Sequence, residues 1–92
     1  MDIERGSFVW NAKKEQVNLD KHGIDFTTAQ KAFTDENRKI YVDAAHSQKE
    51  LRYFCLGSVD NNILTVRFAY QGGAIRIIGA GYWRKGKKYY EE

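Results

Sequence analysis

The sequence predicts an α+β fold on three observations. Two segments near the N-terminus carry helix start and stop signals. From Ile40 onward, strand-like runs alternate with short turn clusters. The chain then closes on a cationic, aromatic segment of helical character. Its 92 residues predict a single domain, 1–92. Five Phe, six Tyr and two Trp provide large rings for a modest core. Pro is absent and the eight Gly are scattered, so no flexible linker is marked.

The elements follow in order. Phe8-Val9-Trp10 is a short apolar strand ending at Asn11. Ala12 to His22 reads as a helix, with Asn11 able to cap an early helical N–H and Gly23 able to take the left-handed conformation that stops it. Its apolar residues are only Ala12, Val17 and Leu19, which predicts a half-exposed helix with Lys14, Asn18, Lys21 and His22 on one cationic side. Asp25 caps a second helix whose Phe26, Ala29 and Phe33 form a core-facing stripe, and the two helices are close enough in sequence to form a hairpin. Four strands are predicted next: Ile40–Val42, Leu51–Leu56, Ile63–Tyr70 and Ala74–Ala80, with turns at Asp60-Asn61-Asn62 and Gln71-Gly72-Gly73. Short turns between neighbours imply an antiparallel meander. Alternation in the third of these strands sends Leu64, Val66, Phe68 and Tyr70 to the core and Thr65, Arg67 and Ala69 to the other face. A short C-terminal helix completes the fold. The helices are expected on one face of the sheet, with the other partly open and lined by small residues and cations.

Net charge is +3, from fifteen basic and twelve acidic residues, which by itself says little about a partner. Its distribution says more. Tyr82, Trp83, Arg84, Lys85, Lys87, Lys88, Tyr89 and Tyr90 interleave cations with rings near the C-terminus. Cations neutralise phosphates and rings stack on bases, so the pattern suits a single-stranded nucleic acid. A solvated helix whose tyrosines pack back on the sheet would carry the same pattern. Arg67 in mid-strand calls for either a cross-strand ion pair or an anionic ligand.

Other chemistries lack support. Cys55 stands alone, so no intramolecular disulfide forms, and its apolar neighbours fit a buried thiol and a reducing, cytoplasmic location. No stretch approaches the roughly 20 apolar residues of a membrane span. His22 and His46 share no metal-ligand spacing, the nearest set being Asp43, His46 and Glu50 in a polar loop, so neither a metal nor another cofactor is expected. Neither a Walker-type glycine loop nor a nucleophile triad is present. What remains is Lys14, Lys21, His22, Arg52, Arg67, Arg76 and Arg84, a set suited to RNA. RNA carries its own nucleophile, the 2′-OH, and a catalyst need only move protons and stabilise charge on phosphorus. His22 serves equally well as a cation at a helix C-terminus.

Several of these features share one order along the chain: Phe8, Trp10-Asn11, Lys14, Asn18, Lys21-His22-Gly23-Ile24, Phe26, Ala29, Phe33, Asp43, Glu50, Arg52, Gly57, Arg76-Ile77-Ile78, Ala80 and a basic tail. The sequence resembles the BrnT family, the toxin half of a bacterial type II toxin–antitoxin pair, over nearly its whole length. The resemblance implies a RelE-like fold and a small ribonuclease that acts without metal, inhibits translation and arrests growth. It implies a BrnA ribbon-helix-helix antitoxin as partner, with operator DNA bound only through the toxin–antitoxin complex. On this basis Lys21, His22, Glu50, Arg52 and Arg76 match the polar family positions. Arg67 joins them as a candidate catalytic residue, and Lys14, Tyr82, Trp83, Arg84 and Lys85 as candidate RNA-binding residues.

The chain also departs from the family pattern. Many members carry a serine and a second arginine where this chain has Gly79 and Gly81, and a tail glutamate where it has Gly86. Arg67 or Arg84 is expected to supply the missing guanidinium. The alternative is a catalytically weak or inactive homologue that binds RNA or an antitoxin in operon autoregulation.

Overall fold

A computed structural model describes Met1–Glu92. Asp2–Arg5 forms a first strand (β1), and Phe8–Asn11 (β2) returns antiparallel beside it. The Asn11 side chain accepts from the Lys14 N–H at 3.0 Å and so starts Ala12–His22 (α1), which Gly23 ends at φ 71°. Asp25 accepts from the Thr28 N–H at 2.7 Å and starts Phe26–Gln30 (α2), a bond that holds the Asp25 carboxyl below its usual range. Lys39–Val42 (β3), Tyr53–Val59 (β4), Asn62–Gln71 (β5), Ala74–Gly81 (β6) and Arg84–Glu91 (α3) follow.

The result is α+β, with three α-helices and one six-stranded sheet in the order β1-β2-β6-β5-β4-β3. The expected antiparallel meander is present as β3-β4-β5-β6, but the sheet has six strands and not the four expected of a RelE-like fold, and it differs in two ways. Strand β2 enters the sheet parallel to β6, pairing Phe8 with Ile75 and Trp10 with Ile77, so the sheet is mixed. Strand β1 was not foreseen, because Asp2, Glu4 and Arg5 leave it one inward apolar residue, Ile3, at an exposed edge.

Smaller departures have local causes. The second helical stripe breaks into α2 and a 3-10 turn, Lys31–Thr34, which carries Ala32 and Phe33 onto β4 and β5. Helices α1 and α2 both pack on β6 and do not form a hairpin. Leu51 is exposed and precedes β4, which starts at Tyr53. Tyr70, assigned to the core by alternation, is 56% exposed, because β5 runs out beyond the helices there.

One face of the sheet carries the core. Trp10, Phe26, Leu64, Val66, Phe68 and Ile77 are fully buried there with Cys55. Each such side chain contributes roughly 1.5–3 kcal/mol over exposure. Burial pushes the Cys55 thiol up to about 12. Glu15 ties α1 and α2 to this core: its carboxylate accepts from the Trp10 indole N–H at 3.0 Å and from the Phe26 backbone N–H at 2.9 Å.

Asn18 makes the other tie. Strand β2 leaves β6 after Ile77, which exposes the rest of that edge. Asn18 on α1 replaces the missing strand, donating to the Ala80 carbonyl at 3.0 Å and accepting from the Ala80 N–H at 3.0 Å. The same amide donates to the Ile24 carbonyl at 2.9 Å. Asn18 is therefore buried and structural, although its spacing had grouped it with the cations of α1.

The opposite face is partly open, as expected, but it also carries a helix, although the helices were expected on one face only. Helix α3 covers part of β4 and β5, close enough that a Cβ on Gly86 would stand 1.9 Å from Thr65 Oγ1. What stays open lies between α3, α1 and the loop before β4.

Candidate functional site

The open face is built from two rows of side chains set by register. Arg76 on β6 stands between Val9 on β2 and Ala69 on β5. One row further, Tyr41, Phe54, Arg67 and Gly79 lie opposite one another across β3, β4, β5 and β6. Between the rows Ile78 has no partner, and this bulge lets Ile78 and Gly79 both border the open side. Bulges re-aim side chains in this way beside binding sites.

Two clefts result. The first, about 430 Å³, is lined by Lys13, Lys14, Lys21 and His22 of α1 and by Arg67, Gly79 and Trp83. The second, about 360 Å³, is lined by Glu50, Arg52, Gln71 and Arg76 with Asp2 and Val9. Asn11 and Lys14 border both, so the clefts form one groove along the α1 side of the sheet. Lys21, His22, Arg67 and Arg76, distant in sequence, therefore share one surface.

The two clefts differ electrostatically. In the second, Glu50 accepts from both Arg52, at 3.2 Å, and Arg76. Arg76 is also held by the Gln71 side-chain oxygen at 3.4 Å. The Arg76 bond, seconded by Arg52, holds the Glu50 carboxyl below its usual range. A carboxylate so held is a weak proton acceptor and a firm orienting group. In the first cleft no acid intervenes. The ion pairs of the protein are Asp43–His46, Glu50–Arg52 and Glu50–Arg76, and Arg67 is in none. Of the two alternatives for Arg67, the cross-strand ion pair is absent; the guanidinium lies over the bare backbone of Gly79, where a Cβ would stand 3.9 Å from Arg67 Nη1.

The remaining candidates divide. Trp83 lines the first cleft and meets His22 edge-to-face at 5.3 Å between ring centroids. Its ring fills the space a side chain on Gly81 would need, since a Cβ there would lie 2.5 Å from the indole. Arg84, Tyr82 and Lys85 border neither cleft. Tyr82 is exposed beside Trp83, and Lys85 sits 5.9 Å over the Tyr89 ring of α3. Sequence reasoning missed Lys13 and Gln71. The Lys13–Val17–Lys21 spacing of four marks Lys13 as a neighbour of Lys21; Gln71 sits in a turn cluster and gave no signal.

Asp43 and His46 pair with each other at 3.0 Å, while Glu50 turns to the arginines. No three His, Cys, Asp or Glu side chains come together. No helix is long and apolar enough to cross a membrane.

The family model for BrnT, the ribonuclease toxin of type II toxin–antitoxin systems, matches residues 10–86, from Trp10 in β2 into the first turn of α3. No curated protein matches the sequence significantly. The matched span holds every residue lining the groove except Asp2 and Val9. The chain belongs to the BrnT family of ribonuclease toxins, whose type II systems imply an RNA substrate and an antitoxin partner.

Proposed function

We propose that the protein is a metal-independent endoribonuclease that cuts RNA through its own 2′-hydroxyl, inhibits translation in the cytoplasm and arrests growth until a BrnA-type ribbon-helix-helix antitoxin binds it. The observation that carries this reading is Arg67, a mid-strand arginine without an acidic partner, in one cleft with Lys14, Lys21 and His22. A phosphate is the ligand such a set fits: arginine stays charged and donates paired hydrogen bonds to phosphate oxygens.

Lys21 or His22 takes the proton from the 2′-OH, whose oxygen attacks the adjacent phosphorus. Arg67 and Arg76 stabilise the extra negative charge on the phosphoryl oxygens, with Arg52 beside them. The 5′-oxygen leaves with a proton from the other of Lys21 and His22, giving a 2′,3′-cyclic phosphate and a 5′-hydroxyl end. Glu50 orients Arg52 and Arg76 and moves no proton. Lys14 guides the strand between the clefts, and Trp83 stacks on a base.

The test is cleavage of bulk RNA by pure protein in excess chelator. Lys21→Ala, His22→Ala and Arg76→Ala should each lower the rate by roughly 100-fold or more, with unchanged circular dichroism. RNA that the unmodified protein binds but never cuts would instead favour a catalytically weak homologue, an RNA- or antitoxin-binding module in operon autoregulation. That second reading draws on Gly81, where the Trp83 ring takes the space of the family's second arginine.

A further inference from the structure

On the far side of Trp83 lies a larger, apolar groove that the chemistry above leaves unused. It holds about 630 Å³ between α3 and strands β3 to β5, within the roughly 300–1,000 Å³ of small-ligand sites. Tyr41, Phe54, Leu56, Trp83 and Tyr89 form its walls. We propose that this groove is a nucleobase slot: it receives the base next to the phosphate held by Arg67 and Lys21. The inference rests on the ribonuclease reading and adds to it where the strand goes after the cleft.

Three observations support a base as the occupant. The first is continuity. Trp83 borders both the cationic cleft and the apolar groove, and Phe54 in the groove stands directly opposite Arg67 in the register. A strand whose phosphate meets Arg67 therefore has a ring-lined hollow within one residue's reach on the same sheet face. The second is division of chemistry. Apart from Trp83 and His22 the cationic cleft has no ring to stack on, whereas the groove has Tyr41, Phe54 and Tyr89. Single-stranded RNA needs both surfaces, and here each is supplied by one hollow. The third is the polar content. Lys85, over Tyr89, is the cation of the groove, and the Asp43 carboxylate is already paired with His46. Thr65 lies at the floor of the groove, with its hydroxyl covered by Gly86 of α3. A flat ring with polar edges, attached to an anionic backbone, matches that lining.

The slot also bears on Gly86. Any larger residue there would meet Thr65 and Leu56 beneath it, so glycine lets α3 close over the sheet while its Trp83 and Tyr89 ends remain as walls.

The test uses two uncleavable 2′-O-methyl RNA strands of equal length, one with bases and one abasic, with affinity read by fluorescence anisotropy. The variants are Tyr41→Leu with Tyr89→Leu, which keep apolar bulk at two partly exposed positions, and separately Arg67→Ala. The leucine variant should bind the base-bearing strand roughly 5- to 150-fold more weakly, the worth of one base–aromatic stack, and the abasic strand as before. Arg67→Ala should weaken both strands. If the leucine variant binds both strands with undiminished affinity while Arg67→Ala still weakens both, the slot is refuted and the phosphate cleft stands. If Arg67→Ala also changes nothing, the phosphate cleft falls with it. A leucine variant that binds RNA normally but loses affinity for the cognate antitoxin assigns the groove to that protein instead and overturns the proposal.

Discussion

The two faces of β5 follow different rules. Leu64, Val66 and Phe68 point into the apolar core, where volume is the constraint. Thr65, Arg67 and Ala69, alternating with them, face a side on which a charge stands without a partner and a hydroxyl without a bond. Unmatched polar groups cost stability. Their concentration on one face of a strand whose other face is fully matched marks that face as the one fitted to a ligand. The contrast separates residues that hold the protein together from residues that work.

The largest expected effect lies on the core face. Phe68 packs against Phe33 and Tyr53 with no exposure at all, so Phe68→Ala should cost about 4 kcal/mol, read as a lowered urea midpoint. A cost below about 1 kcal/mol would break the comparison. Asn18 sits at the boundary between the two faces. Asn18→Ala removes three hydrogen bonds and strands the Ala80 N–H, so about 3 kcal/mol should be lost in the same assay.

The working face should respond in rate. Arg67→Ala should lower RNA cleavage by roughly 100-fold, about 2.7 kcal/mol of transition-state stabilisation, with little change in the urea midpoint. Arg84→Ala should leave the rate unchanged, because Arg84 borders neither cleft. Equal losses at the two positions would show that the missing family guanidinium is not supplied by Arg67.

Glu50 gives the smallest effect, and it depends on pH. Arg76 and then Arg52 hold its carboxyl below the usual carboxylate range in the folded state. Its stabilisation is therefore fully present above the unfolded carboxylate value of about 4.3 and is lost as pH falls through the lower folded value. Thermal melts should show Glu50→Gln slightly less stable than the unmodified protein at pH 7, with the two curves converging in strong acid. A gap that persists or grows in acid would mean that Glu50 acts through packing and not through its charge.

Much of this was visible in local sequence. Both helix starts lay where Asn11 and Asp25 announced them, since a side-chain cap is a short-range interaction. The place of the turn between β4 and β5 was equally local: Asp60 and Asn61 stand in it, and both take positive φ, as such residues do in tight hairpins. The alternation of β5 assigned Leu64, Val66 and Phe68 to the core and Arg67 to the other face, and failed only at Tyr70, where no helix lies above the strand.

The sequence alone determined the α+β composition, the caps, the strand alternation and the identity of the cations, because each depends on neighbours a few residues away. Tertiary structure decided the rest: that β2 joins β6 in parallel and completes a six-stranded sheet, that Asn18 serves the backbone and not the groove, and that Glu50 takes Arg52 and Arg76 while Arg67 is left free. The physical reason is range. A hydrogen bond from Asn18 to Ala80 or an ion pair from Glu50 to Arg76 joins residues that no local pattern connects, and only the packed sheet brings them within reach.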